Sequence, residues 1–150
     1  MRTLSRFVVS ILSILALAGA MSAAENKLMH CFAFTAIDTA TDAEWQAFFK
    51  ATDALPGKIP GVTKVWYGKL RAPLTVFNPD GDTRKKITKE AAKVNGDFGI
   101  LRRQWGVCME IADEAALKIY AADPAHKEWV AVYEKVRVAG TTTYDIIPAK

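Results

Sequence analysis

Apolar residues along this chain recur with period two, then with period 3.6, and the alternation happens twice over. Met29 to Thr35 alternates strictly, with His30, Phe32 and Phe34 on one face and Cys31, Ala33 and Thr35 on the other, which predicts a strand. Thr41-Asp42-Ala43-Glu44 follows as a capping box, whose hydroxyl and carboxylate satisfy the first free N–H groups of a helix. That helix sets Trp45, Phe48, Phe49, Thr52 and Leu55 on one aromatic face and ends before Pro56-Gly57. Ile59-Pro60-Gly61 is a turn, and Val62 to Leu70 is a second strand.

The second half repeats the scheme. Arg103 to Ile111 predicts a third strand, and Asp113 caps a helix that carries Leu117 and Tyr120. Asp123-Pro124 breaks that helix and restarts it, with aspartate as N-cap and proline at the first helical position, where its missing N–H costs nothing. His126, Trp129, Val130, Tyr133 and Val136 run along one side of the restarted helix, and Gly140 ends it. Thr141 to Ile147 is a final β-branched and aromatic strand closed by Pro148.

Residues 71–99 interrupt this regularity. Pro73, Asn78-Pro79-Asp80-Gly81-Asp82 and Asn95-Gly96-Asp97 are turn signals, with one or two helical turns expected over Thr88–Lys93. The stretch reads as a surface insertion. Asn78, Asp80 and Asp82 do not make a calcium loop, because Thr83 stands where glycine is needed and Lys89 where glutamate is needed.

The order β-α-β-β-α-β predicts an α+β, ferredoxin-like fold, with two helices covering one face of a four-stranded antiparallel sheet. Phe, Val and Trp occur on both sides of the strands, so the second face needs a cover. A second copy of the sheet supplies one, giving a homodimer and a dimeric α+β barrel.

Composition then sets the context. Arg2 and Arg6 precede an apolar run from Phe7 to Ala20, and Ser22-Ala23-Ala24 gives small residues at a cleavage site. Residues 1–24 read as a secretory signal peptide, leaving residues 25–150 as an exported domain, periplasmic or secreted, without a stable membrane anchor. Removing both signal arginines leaves 18 basic against 16 acidic residues, too even a balance for nucleic acid. The basic run Arg84-Lys85-Lys86 lacks interleaved aromatics and reads as a solvated face. Cys31 and Cys108 both fall in strands of an export-compartment protein, where a cross-strand bridge and two buried thiols are equally open readings. Two cysteines and two histidines so scattered give no metal-ligand spacing, and no cofactor is expected.

The chemistry that stands out is Tyr120 with His126. An imidazole titrates near neutrality and a phenol donates or accepts a hydrogen bond, so the pair suits acid–base work if the helix break turns both tips to one space. Tyrosine and histidine on apolar helix faces are commonly packed core residues, so the question is whether both open into one cavity with His30.

His30-Cys31-Phe32-Ala33-Phe34, the Phe48-Phe49 helix, Ile59-Pro60-Gly61-Val62 with Val65 and Gly68, and Tyr120-x-x-x-Pro124-x-His126 resemble the stress-responsive A/B barrel (Dabb) family. The resemblance covers about residues 28–70 and 103–148. It implies a ferredoxin-like unit that dimerises through its sheets. A few plant members are polyketide cyclases, which implies His126 as base and Tyr120 as donor, with His30 in the same pocket. Phe32, Phe34, Phe48, Phe49, Val65 and Trp129 would line it. Two positions depart from the family pattern: Asp123, where histidine is frequent, and Thr52, where cyclase-like members carry a pocket aromatic.

Three expectations follow. The first is an exported homodimer that binds a small, largely apolar molecule. The second is a cyclase- or lyase-type enzyme using Tyr120 and His126. The third is haem binding through His126, which rests on analogy with other dimeric α+β barrels alone.

Overall fold

The structure is a computed structural model that describes residues 27–90 and 94–149. The expected signal peptide lies outside the described residues, as do residues 91–93 of the expected helical turns. Among the described residues no helix is long and apolar enough to cross a membrane.

Chain order is β1 (Leu28–Phe34), α1 (Asp42–Asp53), α2 (Leu55–Lys58), β2 (Val62–Pro79), α3 (Gly81–Glu90), β3 (Phe98–Ile111), α4 (Glu114–Ala122), α5 (Pro124–Tyr133) and β4 (Thr142–Ile146). The strands form one four-stranded sheet in the order β2-β3-β1-β4, every neighbouring pair antiparallel. This is the ferredoxin-like arrangement, with the two long strands β2 and β3 joined as a hairpin.

Helices α1, α2, α4 and α5 cover one face. Phe32, Phe34, Val107, Met109 and Ile111 from the sheet meet Phe48, Leu55, Tyr120, Trp129 and Tyr133 from the helices in one buried cluster. Aromatic rings dominate it. Phe34 meets Phe48 edge-on at 5.9 Å and Tyr133 edge-on at 5.0 Å between centroids, an arrangement the ring quadrupoles favour.

Local signals explain the element ends. Thr41 and Glu44 form the capping box of α1. Gly61 holds φ at +88°, and a side chain there would collide with Ala116, so glycine lets α4 pack directly on the turn before β2.

Four boundaries differ from the sequence reading. Leu55 does not close α1 but opens the short helix α2, which takes in Pro56 and Gly57, because proline fits the first turn of a helix. Residues 71–79 and 98–102 are not loop: β2 and β3 run on beyond the body, pairing from Leu74↔Arg103 to Pro79↔Phe98. A register shift between Lys69 and Leu74 takes up the extra residues around Pro73, which has no N–H for the ladder. The surface insertion is thus a projecting two-stranded arm. Its tip helix occupies 81–90, starting seven residues earlier than expected, because the Asp80 carboxylate accepts from the N–H groups of Asp82 and Thr83. Finally, α5 stops at Tyr133, and Gly140, at φ +91°, lies in the loop leading to β4 instead of ending the helix.

The second face of the sheet is bare. Cys31 and Cys108 stand directly opposite each other on β1 and β3 and form a disulfide on this face. The bridge closes 77 residues of chain and, in the chain-entropy treatment, stabilises the fold by ~4 kcal/mol. Beside it Trp66, Tyr144 and Ile146 are 43 %, 49 % and 53 % exposed.

Candidate functional site

The site is built at the junction of α4 and α5. Asp123 ends α4 in extended conformation, its carboxylate accepts from the Ala125 N–H at 2.8 Å, and Pro124 begins α5. The chain therefore turns between Tyr120, in the last turn of α4, and His126, in the first turn of α5. Their ring centroids lie 4.3 Å apart. His30 on β1 closes the group from below, its ring 5.6 Å from that of Tyr120.

These three residues open onto one cavity of about 170 Å³ between the sheet and α5. Phe32, Trp129, Val130 and Tyr133 form its apolar walls, and Arg137, Thr141 and Thr143 its polar end. The sequence-predicted residues His30, Phe32, Tyr120, His126 and Trp129 are thus brought together. Phe34, Phe48, Phe49 and Val65 are not: Phe34 and Phe48 are fully buried in the core, Phe49 stacks on Tyr67 at 5.3 Å, and Val65 packs against the core from β2. Their aromatic spacing signalled packing, because the sheet presses α1 directly against Phe34 and leaves no gap there. Thr52 is also in the core, where its hydroxyl donates to the Phe48 carbonyl at 2.7 Å and accepts from the Trp129 indole at 2.9 Å. That bond fixes the Trp129 ring as a cavity wall.

Asp145 is a residue beside the candidate site that the sequence reading missed. β4 pairs with β1 so that Asp145 stands opposite His30, and its carboxylate lies 2.7 Å from His30 Nδ1. A carboxylate only accepts, so His30 Nδ1 carries the proton of this bond, and in the neutral ring Nε2 is then the acceptor. Only the strand pairing joins the two, across 115 residues, so no local motif announces it.

Electrostatics divide the other groups. Burial pushes the Tyr120 phenol well above its ordinary range, with Tyr133 adding to the shift, so Tyr120 stays protonated as a donor. Its hydroxyl has no hydrogen-bond partner among the described residues. Burial likewise pushes Tyr133 up to about 12, opposed by Thr141 and the charges of Arg137 and Arg103. His126 is shifted down, first by burial and then by nearby His30, while the Ala121 backbone and Asp123 oppose the change. It is accordingly neutral at pH 7 and available as a base.

A larger trough, about 490 Å³, lies on the opposite, bare face between Trp66, Leu70, Leu74 and Tyr144, floored by Ala33, Gly68 and Gly106. No potential metal-binding cluster of three or more His, Cys, Asp or Glu side chains occurs among the described residues.

A depressed histidine pKa carries a definite sign. The unfolded chain takes up a proton at the ordinary value, near 6.5, while the folded chain resists it. Stability is therefore full above that pH and falls as pH drops through it toward the folded value. In urea titrations between pH 7.5 and about 5, the wild type loses stability with acid and His126→Gln loses less; parallel curves would contradict the assignment.

No protein-family model matches the chain, and no curated protein does either. Solved structures do match. A Dabb family protein with a ferredoxin-like fold from Mesorhizobium loti superposes with a TM-score of 0.53 at 19 % identity, over 83 % of this chain and 98 % of that one. A hydroxynitrile lyase from Passiflora edulis gives 0.57 at 9 % identity, over 84 % and 96 %. A dimeric ferredoxin-like protein of unknown function from Thermobifida fusca gives 0.54 at 16 %, over 85 % and 96 %. At such identities the likeness establishes the ferredoxin-like fold shared with Dabb proteins.

Proposed function

We propose that this chain binds a small, largely apolar molecule in the cavity between β1, β4 and the α4–α5 pair, and that it works as a homodimer. The observation carrying the binding reading is the convergence of His30, Tyr120 and His126 on one aromatic-walled hollow. Polar tips gathered in an otherwise apolar pocket are the usual make-up of a small-molecule site. The dimer reading rests on the bare face, where exposed Trp66, Tyr144 and Ile146 continue onto Phe77 and Ile100 of the arm, and on the dimeric proteins that share the fold.

A second reading, a lyase- or cyclase-type enzyme, is favoured by the Asp145–His30 pair. That pair leaves His30 Nε2 as an acceptor beside the protonated Tyr120 and neutral His126. In hydroxynitrile cleavage, a base takes the hydroxyl proton, the carbon–cyanide bond breaks with its electron pair leaving on cyanide, and a donor protonates it. Aldol ring closure makes the same demand for a base and an oxyanion donor. Haem is not favoured, because 170 Å³ is below the ~300 Å³ at which pockets for drug-sized ligands begin.

The binding reading is tested by saturation-transfer NMR with phenol as the probe. Wild type shows transfer and Val130→Trp, which fills the hollow, shows none; equal transfer to both would refute the site. Cyanide release from an aromatic hydroxynitrile, followed on the same samples, falls at least tenfold in His126→Gln and Tyr120→Phe if the enzyme reading holds; no release above buffer rejects the lyase form. Light scattering gives a dimer mass for the wild type and a monomer mass for Trp66→Asp, whereas a monomeric wild type at micromolar concentration would refute the dimer.

A further inference from the structure

The two ends of the cavity differ in charge. At one end sit His30, Tyr120 and His126. Two turns further along α5 lies Tyr133, with Arg137 beyond it and the hydroxyls of Thr141 and Thr143 opposite. No aspartate or glutamate lines the cavity.

Two guanidinium groups stand at this second end, Arg137 in the cavity wall and Arg103 outside the lining. Arg103 is only 5 % exposed, makes one hydrogen bond, from Nη1 to the Thr35 hydroxyl at 3.2 Å, and has no carboxylate partner among the described residues. Arg137 lies over the Tyr133 ring at 4.8 Å with its side chain 15 % exposed. Its carboxylate neighbour is Glu134, at 3.1 Å, whose own side chain is 58 % exposed and solvated. The Nε–H of each arginine is buried with no acceptor among the described residues. Buried polar groups are nearly always satisfied, and buried cations nearly always paired. Arg103 has no carboxylate beside it among the described residues and Arg137 only a solvated one; both charges oppose the upward shift of the Tyr133 hydroxyl, which itself lies 3.0 Å from the Thr141 hydroxyl.

We propose that the cavity's ligand is a small organic carboxylate, its anionic end held by Arg137, Tyr133 and Thr141 and its other end presented to His30, Tyr120 and His126. This rests on the reading of the cavity as a binding site and names the chemistry of what it takes. A guanidinium fork matches a carboxylate in plane and spacing. The aromatic walls and the modest volume fit a single ring or short chain attached to it. Arg103 acts as a positioning residue, adding positive potential from behind Tyr133 without touching the ligand.

The test is a calorimetric titration at constant pH of benzoate and phenylacetate against their neutral amides, with inorganic phosphate as a further probe. The acids bind at least tenfold more tightly than the amides in the wild type. That preference falls below threefold in Arg137→Gln and is retained in part by Arg137→Lys. If Arg137→Gln fails to fold, the wild-type comparison of acid with amide decides alone. Acids and amides binding equally overturns the proposal while the cavity remains a site. Phosphate binding as tightly as the acids overturns the carboxylate assignment. No binding of any acid overturns the proposal too, and the phenol experiment then shows separately whether the cavity binds at all.

Discussion

A single junction, Asp123-Pro124, sets the geometry of the functional end of this protein. An unbroken helix would place residues six apart on largely different faces, because each residue advances the helix by about 100°. Asp123 ends α4, caps α5 with its own carboxylate and hands the next position to proline, which cannot continue the first helix but can begin the second. The change of direction lets Tyr120 and His126 stand 4.3 Å apart over the same hollow. The rest of the fold holds that junction steady. Trp129, one turn into α5, is pinned by Thr52 of α1, and Tyr133 packs on Phe34 of β1.

The sheet keeps two different surfaces apart by the simple alternation of β1. His30, Phe32 and Phe34 point to the helices, while Cys31 and Ala33 point to the bare face. The helix side is tightly packed under α1, where Phe34 and Phe48 are buried, and hollow where α4 and α5 meet. There the chemistry is borne by four elements, with β4 contributing Asp145 behind His30. On the other side the disulfide, Trp66 and Tyr144 border an apolar trough, prolonged by an arm whose Phe77 and Ile100 are 64 % and 61 % exposed. The cavity and the bare face are thus separated by one sheet thickness.

Local signals were legible where one segment decided the outcome. The Thr41–Glu44 capping box and the Asp-Pro break satisfied nearby backbone groups, the alternation of β1 sorted its side chains between two faces, and the elements formed where those signals stood. Pairing across the chain was not legible. Nothing in Leu74–Pro79 or Phe98–Arg102 alternates strongly enough to mark a strand, because an arm away from the core needs no buried face, and its turn residues suggested a loop. Asp145 carries no local signal, because only the pairing of β4 with β1 brings it to His30. The aromatic face of α1 was misread as pocket lining, since spacing alone cannot distinguish rings that meet other rings from rings that meet empty space. The arginines behind Tyr133 carried no pattern either, being 34 residues apart in sequence and joined only by the fold.

A phenol and two imidazoles share one hollow. Nuclear Overhauser spectroscopy on protein with specifically labelled tyrosine and histidine rings reads this directly. Cross-peaks from Tyr120 ring protons to those of both His126 and His30 are the predicted result, from centroid separations of 4.3 and 5.6 Å. A spectrum in which Tyr120 contacts neither imidazole would contradict it.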